Sequence, residues 1–354
     1  MVIEADVAVV GAGIAGVSVA YELADTGSVV LLERESQAAY HTTGRSAAML
    51  LDSYGGAAVR ALTAASRPLF DEVPNLLIPR PLVWVAPPDQ VDELRAVHAD
   101  NPDLVAVDET AVRRMFPPLR PGWLAGALLD ADTREIDVLG LHQHYLGGAR
   151  RAGVRVLLDA PVLDGRHDGN RWRLRTGAGD VHARWVVNAA GAWADQVAQT
   201  LGVPGIGLRP LRRTAVVARA GGVDRTWPLV ADVGETFYLR PEGTNVLLSP
   251  ADETPSAPCD ARPDDVDVAL AIERVNAATT LDVRSVLTAW AGLRTFGADR
   301  TPVVGADPVA PAFCWLAGQG GYGIQIAPAA ARLAASAVRG SDVPAELSPA
   351  RFRS

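Results

Sequence analysis

The chain has 354 residues, of which 49% are hydrophobic and 21% charged, so it can bury a large core and lacks the composition of a disordered segment. Its net charge is −8 and its basic residues form nothing longer than pairs, such as Arg150 with Arg151, which excludes the basic face of a nucleic-acid-binding protein. All 33 basic residues are arginine, and without lysine neither a pyridoxal phosphate Schiff base nor a P-loop is possible.

Cysteine and histidine exclude further classes of protein. Cys259 and Cys314 stand far apart and form no CxxC pair, so we expect neither a disulfide framework nor a redox-active dithiol. The six histidines have no metal-ligand spacing, and we expect His142 and His144 to be surface residues of a helix. No apolar run is as long as a membrane span, and no signal-peptide pattern precedes the first strand. We therefore expect a cytoplasmic monomer or small homo-oligomer that holds no metal and binds neither nucleic acid nor membrane.

The first 35 residues have the pattern of a dinucleotide site. A predicted strand over 6–10 runs into Gly11, Gly13 and Gly16, and a helix and a second strand ending at Glu33 follow. In such a unit the first glycine allows the tight turn, the second lets the backbone approach a pyrophosphate, and the third lets the helix pack closely on the strand. Glu33 falls about twenty residues after the glycines, where an acid accepts a hydrogen bond from a ribose 2′-hydroxyl.

Further elements are predicted in chain order. We expect the small-residue segment 40–48 to open a helix near the ligand. Helices are predicted over 57–70, 91–98, 109–116, 138–152, 263–278 and 324–339. Strands are predicted over 82–85, 154–158, 171–174, 181–184, 214–218, 236–240, 245–249 and 312–316, with another inside 185–193 that leads into a helix.

Two later glycine turns resemble the first one in their setting. One lies at Ala190 and Gly191, and the other contains four glycines within 318–323; each follows a predicted strand and opens a helix. Because a helix N-terminus attracts negative charge, three such turns around one ligand indicate a large anionic cofactor.

With these motifs the chain resembles the D-amino acid oxidase (DAO) family of flavoproteins over nearly its whole length. The motifs are VVGAGIAG with Glu33 and Arg34, HTTGRSAA (41–48), VNAAGAW (187–193), WAGLRTF (290–296) and GQGGYGIQIAP (318–328). The D-arginine and D-amino acid dehydrogenase type is the most similar that we identify. The resemblance implies non-covalently bound FAD and oxidation of the Cα–N bond of an amino acid by hydride transfer to flavin N5.

The resemblance also implies the fold and the cofactor contacts. We expect an α/β fold of two domains: an FAD-binding Rossmann-like domain (1–76, 139–206 and 298–354) and a substrate domain of antiparallel sheet plus helices (77–138 and 207–297). The residues expected to contact FAD are Gly11, Gly13, Ile14, Ala15, Gly16, Glu33, Arg34, Thr43, Gly44, Arg45, Ser46, Ala47, Ala190, Gly191, Trp193, Gly320, Gly321, Tyr322, Gly323, Ile324 and Gln325.

Four residues match positions that contact the substrate in this family. Arg294 matches the arginine that binds the substrate carboxylate, for which a planar bidentate fork is suited. Arg213 and Tyr238 match further contacts on the carboxylate side. Tyr54 matches an aromatic residue on a mobile loop over the substrate, although it could equally be a core residue of the following helix.

The substrate pocket is expected to be apolar, with Met49, Leu82 and Gly321 in its wall. Met49 and Leu82 stand where the arginine-specific type has a histidine and a carboxylate. Because burying an unpaired cation costs several kcal/mol, this favours an apolar D-amino acid over a basic one.

Other functions remain open at this stage. The absence of lysine favours a dehydrogenase over an oxidase, with an electron acceptor that the sequence does not identify. The alternatives are oxidation of a secondary amine such as an N-alkyl or cyclic amino acid, a biosynthetic tailoring oxidation, and, from another class, the flavin subunit of a hetero-oligomeric dehydrogenase.

Overall fold

The computed structural model describes residues 2–353. Its helices are α1 (Ile14–Leu23), α2 (Ala57–Asp71), α3 (Val91–Asp100), α4 (Glu109–Met115), α5 (Val138–Arg151), α6 (Ala194–Thr200), α7 (Asp265–Ala278) and α8 (Gly323–Val338). Its strands are β1 (Val2–Val10), β2 (Val29–Leu32), β3 (Met49–Leu50), β4 (Leu77–Pro79), β5 (Leu82–Ala86), β6 (Val105–Val107), β7 (Gly126–Asp130), β8 (Arg134–Ile136), β9 (Arg155–Leu157), β10 (Val162–His167), β11 (Trp172–Thr176), β12 (Gly179–Asn188), β13 (Arg209–Arg219), β14 (Leu229–Asp232), β15 (Tyr238–Glu242), β16 (Asn245–Ser249), β17 (Thr254–Pro255), β18 (Ser285–Phe296), β19 (Val303–Ala306), β20 (Phe313–Ala317) and β21 (Gln319–Gly320).

The first sheet is the scaffold of the three glycine turns. Its centre is parallel, in the order β9, β2, β1, β12, β20, and β10, β11 and β19 extend it with antiparallel pairs. The second half of strand β1 is apolar on both faces because both are covered: Val7 and Val9 enter one core with α1 and α8, while Ala8 and Val10 enter another with α6. The carboxyl ends of β1, β12 and β20 therefore meet at one edge of the sheet.

The second sheet has ten strands in the order β21, β18, β13, β16, β15, β14, β5, β7, β6, with β17 pairing β13. It is antiparallel except where β14 runs parallel to β5. Its two faces bury different clusters: Val83 and Val85 pack in the core under α7, and Leu82 and Trp84 face the opposite side. A small third sheet of β3, β8 and β4 carries Met49 between the two large sheets.

The α/β fold predicted from the sequence is confirmed by this arrangement. Strands of the first sheet come from 2–32, 155–188 and 303–317, and those of the second from 82–130, 209–296 and 319–320. The domain boundaries given above stay a prediction. Within residues 2–353, no helix is long and apolar enough to cross a membrane.

Three local predictions need correction. Segment 40–48 opens no α-helix and forms only a 3-10 turn at Thr43–Arg45, because the side chains of both residues bond to other parts of the chain. The strands expected at 181–184 and inside 185–193 are one continuous strand, β12. Strand β10 was not predicted because it is an edge strand of mostly exposed residues without apolar alternation.

Candidate active site

The turn after β1 is built so that only glycine fits at two positions. Gly11 has a φ of +99°, and a Cβ there would lie 2.6 Å from the carbonyl oxygen of Ala189 at the end of β12. A Cβ on Gly16 would lie 1.7 Å from the carbonyl oxygen of Gly11. Helix α1 is thus pressed against the turn, and its N-terminus faces the edge where β1 and β12 end.

Of the first N–H groups of this turn, two donate to acceptors within the protein and two do not. The amide of Ala12 donates to Glu33 Oε2 at 2.7 Å, and that of Ile14 donates to Thr43 Oγ1 at 3.0 Å. Within residues 2–353, the N–H groups of Gly13 and Ala15 find no acceptor. These two donors at a helix N-terminus suit an anion such as a pyrophosphate.

His142 supports the same turn from behind, which corrects the expectation of a surface histidine. It lies on α5, is only 5% exposed, and its Nε2 bonds to the carbonyl oxygen of Ala12 at 3.0 Å. Burial lowers the pKa of His142 below its ordinary value, and the bond to Ala12 offsets this only in part. The ring is therefore kept neutral beside the glycine turn.

A cavity of about 250 Å³ begins at this turn. Eight of the residues expected to contact FAD line it: Gly11, Gly13, Glu33, Arg34, Thr43, Ala190, Gly191 and Trp193. At its mouth the guanidinium of Arg34 lies 5.0 Å from the ring centre of Trp193, and the ring of His41 lies 4.5 Å from the same indole. The walls thus combine a buried carboxylate with a stack of planar groups.

A second cavity of about 150 Å³ continues from the first, with Gly13, Thr43 and Gly191 in both walls. The predicted residues that line it are Gly13, Ile14, Ala15, Thr43, Arg45, Ser46, Ala47, Gly191, Arg213, Tyr238, Arg294, Gly320, Gly321, Gly323 and Ile324. The N-termini of α1 and α8 both open here. In its lining, Thr295 Oγ1 and the side-chain nitrogen of Gln319 are buried and have no partner within residues 2–353.

These two cavities fit an elongated dinucleotide with a polar ring at one end. Gly320 is left-handed, and a Cβ on it would lie 2.1 Å from Phe296, so the α8 turn has no room for a larger residue. The unpaired polar atoms of Thr295 and Gln319 lie where such a ring would meet the α8 turn, and the free amides of the first turn lie where its phosphates would. The residues present therefore fit FAD.

A third cavity of about 110 Å³ adjoins the second and lies on one face of the second sheet. The strand register explains which residues share this face. Leu211 pairs with Arg294, so Arg213, two residues along β13, points to the same side as Arg294. Ala231 of β14 pairs with both Tyr238 and Trp84, which brings the apolar wall to that side as well. We call this space the substrate cavity.

Arg294 is the arginine of the substrate cavity that forms no ion pair within residues 2–353. The guanidinium of Arg213, in contrast, lies 3.3 Å from Glu253. Burial and the positive charge of Arg294 lower the pKa of Arg213. Burial also acts to lower the pKa of Arg294, but Tyr54, Tyr238 and, to a smaller extent, Glu235 outweigh it and leave that pKa above its ordinary value. Arg294 is thus charged and available to an external carboxylate.

Tyr54 lies in the wall of the substrate cavity, on a turn that the protein anchors. Its ring centre is 5.2 Å from that of Tyr322, and the neighbouring Ser53 donates to Asp130 at 2.6 Å. Gln325 contributes by bonding to Leu51 and Thr63, which ties α8 to the segment before Tyr54.

The structure brings most, but not all, of the predicted residues to the three cavities. Those in the substrate cavity are Ser46, Ala47, Met49, Tyr54, Leu82, Arg213, Tyr238, Arg294, Gly321 and Gln325. Gln325 is found here rather than in the second cavity. Gly16, Gly44 and Tyr322 line none of the three, and the guanidinium of Arg45 is occupied by Ala261, Ala291 and Asp260.

Several cavity residues were not predicted. Thr295 and Gln319 lie inside motifs quoted above, and their positions next to Arg294 and Gly320 could have identified them. Trp84 and Glu235 line the substrate cavity because β5 pairs with β14. This contact joins distant segments of the chain, and no local sequence pattern predicts it. No cluster of three or more metal-binding side chains occurs in the described part of the chain.

Comparisons with known proteins agree with this geometry. Residues 6–337 match the model of the DAO family, described as FAD dependent oxidoreductase. Human mitochondrial dimethylglycine dehydrogenase is 28% identical over 267 residues, which cover 70% of this chain but only 30% of that protein. Among solved structures, glycine oxidase from Geobacillus kaustophilus superposes with a TM-score of 0.84 at 22% identity, each chain covered to 96%. L-proline dehydrogenase from P. horikoshii superposes with a TM-score of 0.87 at 18% identity, with 100% of this chain and 99% of that chain covered.

Proposed function

Because the chain belongs to the DAO family of FAD dependent oxidoreductases, we propose that it oxidises the Cα–N bond of an amino acid whose carboxylate is bound by Arg294. The observation that carries this proposal is the guanidinium of Arg294, which lines both the second cavity and the substrate cavity and forms no ion pair within residues 2–353. A carboxylate held there brings the substrate to the junction of the two cavities.

The protein's own part in this reaction is to bind and orient. Bound FAD would supply the acceptor for the hydride that leaves Cα. Arg294 holds the carboxylate, Arg213 and Tyr238 flank it on the same face of the sheet, and Met49 and Leu82 contact the carbon atoms next to Cα. No histidine is among the residues that line the substrate cavity, and an amine that arrives unprotonated requires no side-chain base. The loss of hydride from Cα leaves an imino acid, which water hydrolyses to a 2-oxo acid and ammonia.

A second candidate within this chemistry is a secondary amine, such as an N-alkyl or cyclic amino acid. The apolar wall supports it, because a methyl or ring substituent on nitrogen needs a dry contact. The names of the relatives support it as well: dimethylglycine and L-proline both carry alkylated nitrogen. We also propose that the enzyme is a dehydrogenase, that its substrate has the D-configuration, that FAD is bound non-covalently and that the protein is located in the cytoplasm.

An anaerobic titration of the purified FAD-loaded chain tests the proposal. D-amino acids, their L-enantiomers and N-methyl amino acids are added in turn while the oxidised-flavin band is followed. Loss of the band with any of them supports oxidation at the Cα–N bond, and the set that bleaches it distinguishes primary from secondary amines. Reoxidation by dioxygen is then compared with reoxidation by a dye. A band untouched by the whole panel contradicts the proposal.

Replacing Arg294 tests the residue on which the proposal depends. Arg294→Ala is expected to raise KM about a hundredfold or more, because a charge-assisted bidentate contact is lost, while FAD stays bound. Arg212→Ala is the matched control: Arg212 is the neighbouring residue on β13, but it pairs with Asp267 and lines none of the three cavities. Equal KM values for the two variants would refute the assignment of Arg294.

A further inference from the structure

The arginines of the substrate cavity leave one positive charge unbalanced. Three of them line it: Arg213, Arg240 and Arg294. Arg213 pairs with Glu253 at 3.3 Å, and Arg240 pairs with Glu242 at 2.7 Å. Arg294 alone lacks such a pair in the described part of the chain, and the proposed function already assigns it to the substrate carboxylate.

The carboxylates of the cavity leave one negative charge unbalanced as well. Asp232 is only 1% exposed and accepts hydrogen bonds from the backbone N–H groups of Thr236 and Phe237, at 2.7 and 2.8 Å. Glu235 lines the same cavity but is exposed, and within residues 2–353 its carboxylate makes neither an ion pair nor a hydrogen bond. The cavity therefore presents one free cation in its wall and one free anion at its rim.

The turn between β14 and β15 holds Glu235 in an unfavourable backbone conformation. Glu235 has a φ of +50°, where glycine or asparagine would be less strained. The turn around it is fixed, because Asp232 bonds two of its amides and Gly234 N donates to Gln90 Oε1 at 3.2 Å. These bonds fix the backbone of the turn and with it the place of Glu235 at the rim of the substrate cavity.

The substrate cavity that Arg294 and Glu235 line also has an apolar wall. Met49, Leu82, Trp84 and Leu229 are all buried and form one cluster on this side of the second sheet. A substrate whose carboxylate is on Arg294 can lay a carbon stem along this wall. A charged group beyond the stem would reach the exposed rim, where it keeps part of its hydration and avoids the cost of full burial.

We propose that Glu235 determines specificity by binding a second, positively charged group of the substrate, so that the substrate is an amino acid with a cationic nitrogen at the end of an apolar stem. This inference rests on the proposed function, since Arg294 fixes the other end. The expectation that a basic side chain is disfavoured followed from Met49 and Leu82; in the present proposal these two residues contact the stem, and Glu235, on the turn between β14 and β15, binds the charge.

Ligands that cannot be oxidised test the inference independently of turnover. The FAD-loaded protein is titrated with 6-aminohexanoate and with hexanoate, which share the carboxylate and the stem and differ in the terminal ammonium. Binding is followed by the change in the visible spectrum of the flavin. We expect 6-aminohexanoate to bind about five- to tenfold more tightly, and the preference to shrink as salt is raised. Glu235→Gln should abolish the preference, and Glu346→Gln, which removes an exposed carboxylate outside the three cavities, should retain it.

The outcomes separate this inference from the proposed function. Equal affinities in the unaltered protein, or a preference that survives Glu235→Gln, would overturn the cation subsite even if amino acids bleach the flavin. If the preference is present and depends on Glu235 but no amino acid bleaches the flavin, the subsite stands and the proposed oxidation fails. Turnover of lysine or ornithine against norleucine, each as both enantiomers, should show the same dependence on Glu235 in KM.

Discussion

Arg213 and Arg294, two of the three arginines that line the substrate cavity, show how neighbouring residues give the same type of side chain different roles. Arg294 has no carboxylate partner in the described residues, whereas Arg213 shares Glu253 with Arg300. Burial acts to raise the pKa of Glu253, but Arg300 and the other arginines outweigh it and the pKa falls below its ordinary value. Glu253 is thus a charged support for Arg213, and Arg294 keeps its charge for the substrate.

Removing the charge of Glu253 should therefore cost stability. Glu253→Gln leaves the guanidinium of Arg213, which is 8% exposed, without its counter-ion, and we expect a loss of about 1–3 kcal/mol in the free energy of unfolding. Urea denaturation measures it. The comparison is Arg300→Gln, which removes the other partner of Glu253 from an exposed position and should cost less than about 1 kcal/mol. Similar losses in both variants would show that Arg213 does not depend on this pair.

At the scale of the element, the βα unit at the start of the chain was predictable from sequence and β18 was not. The glycines of the first turn have steric reasons that act within a few residues, so the pattern alone indicates them. Strand β18 contains Gly292 and is placed by its pairing with β13 along its whole length, a contact between segments about seventy residues apart. Segment 40–48 failed as a helix for the same reason, since bonds to Ile14 and to β18 decide its course.

The first turn gives a prediction for one element. Gly16→Ala places a Cβ 1.7 Å from the carbonyl oxygen of Gly11, and because this oxygen belongs to the backbone, α1 must move away from β1. We expect a loss of about 3 kcal/mol or more in the free energy of unfolding and loss of FAD during purification. Gly221→Ala is the control, because an added Cβ meets no atom within 4 Å on that exposed turn. The absorbance ratio of flavin to protein reports the result, and full FAD content in Gly16→Ala would contradict the close packing.

Across the whole molecule, the sequence predicted the two-sheet fold and most of the residues that were expected to line the first two cavities. It did not predict the residues at the far end of the substrate cavity, because the pairing of distant strands places them there. Arg294, Arg213 and Tyr238 were identified by their motifs. Trp84 and Glu235 reach the cavity only because β5 crosses to pair with β14, so a residue near position 84 and one near position 235 become neighbours. Met49 and Leu82, from which an apolar pocket was predicted, both line the substrate cavity, whereas the carboxylate of Glu235 in the same lining was not predicted.

His142 connects the pH of the solution to the cofactor turn, and this yields a prediction for the whole protein. Its pKa is lowered in the folded state, by burial first and then by Arg150, against the opposing effects of Ala12 and Glu33. As the pH falls below the ordinary value of 6.5, the unfolded chain takes up a proton before the folded one does, so the free energy of unfolding decreases; above that pH the group has no effect.

Acidification should therefore lower the thermal midpoint of the FAD-loaded protein and release FAD earlier in the melt. His142→Gln should reduce the slope of the midpoint against pH between about pH 5 and 6.5, because glutamine can still donate to the Ala12 carbonyl but does not titrate. His98→Gln, on α3 and outside the three cavities, should retain the slope of the unaltered protein. Free-flavin fluorescence during the melt reports release of the cofactor. If His142→Gln melts with an unchanged pH slope, protonation of His142 does not limit the holoenzyme, and the acid lability lies with other groups.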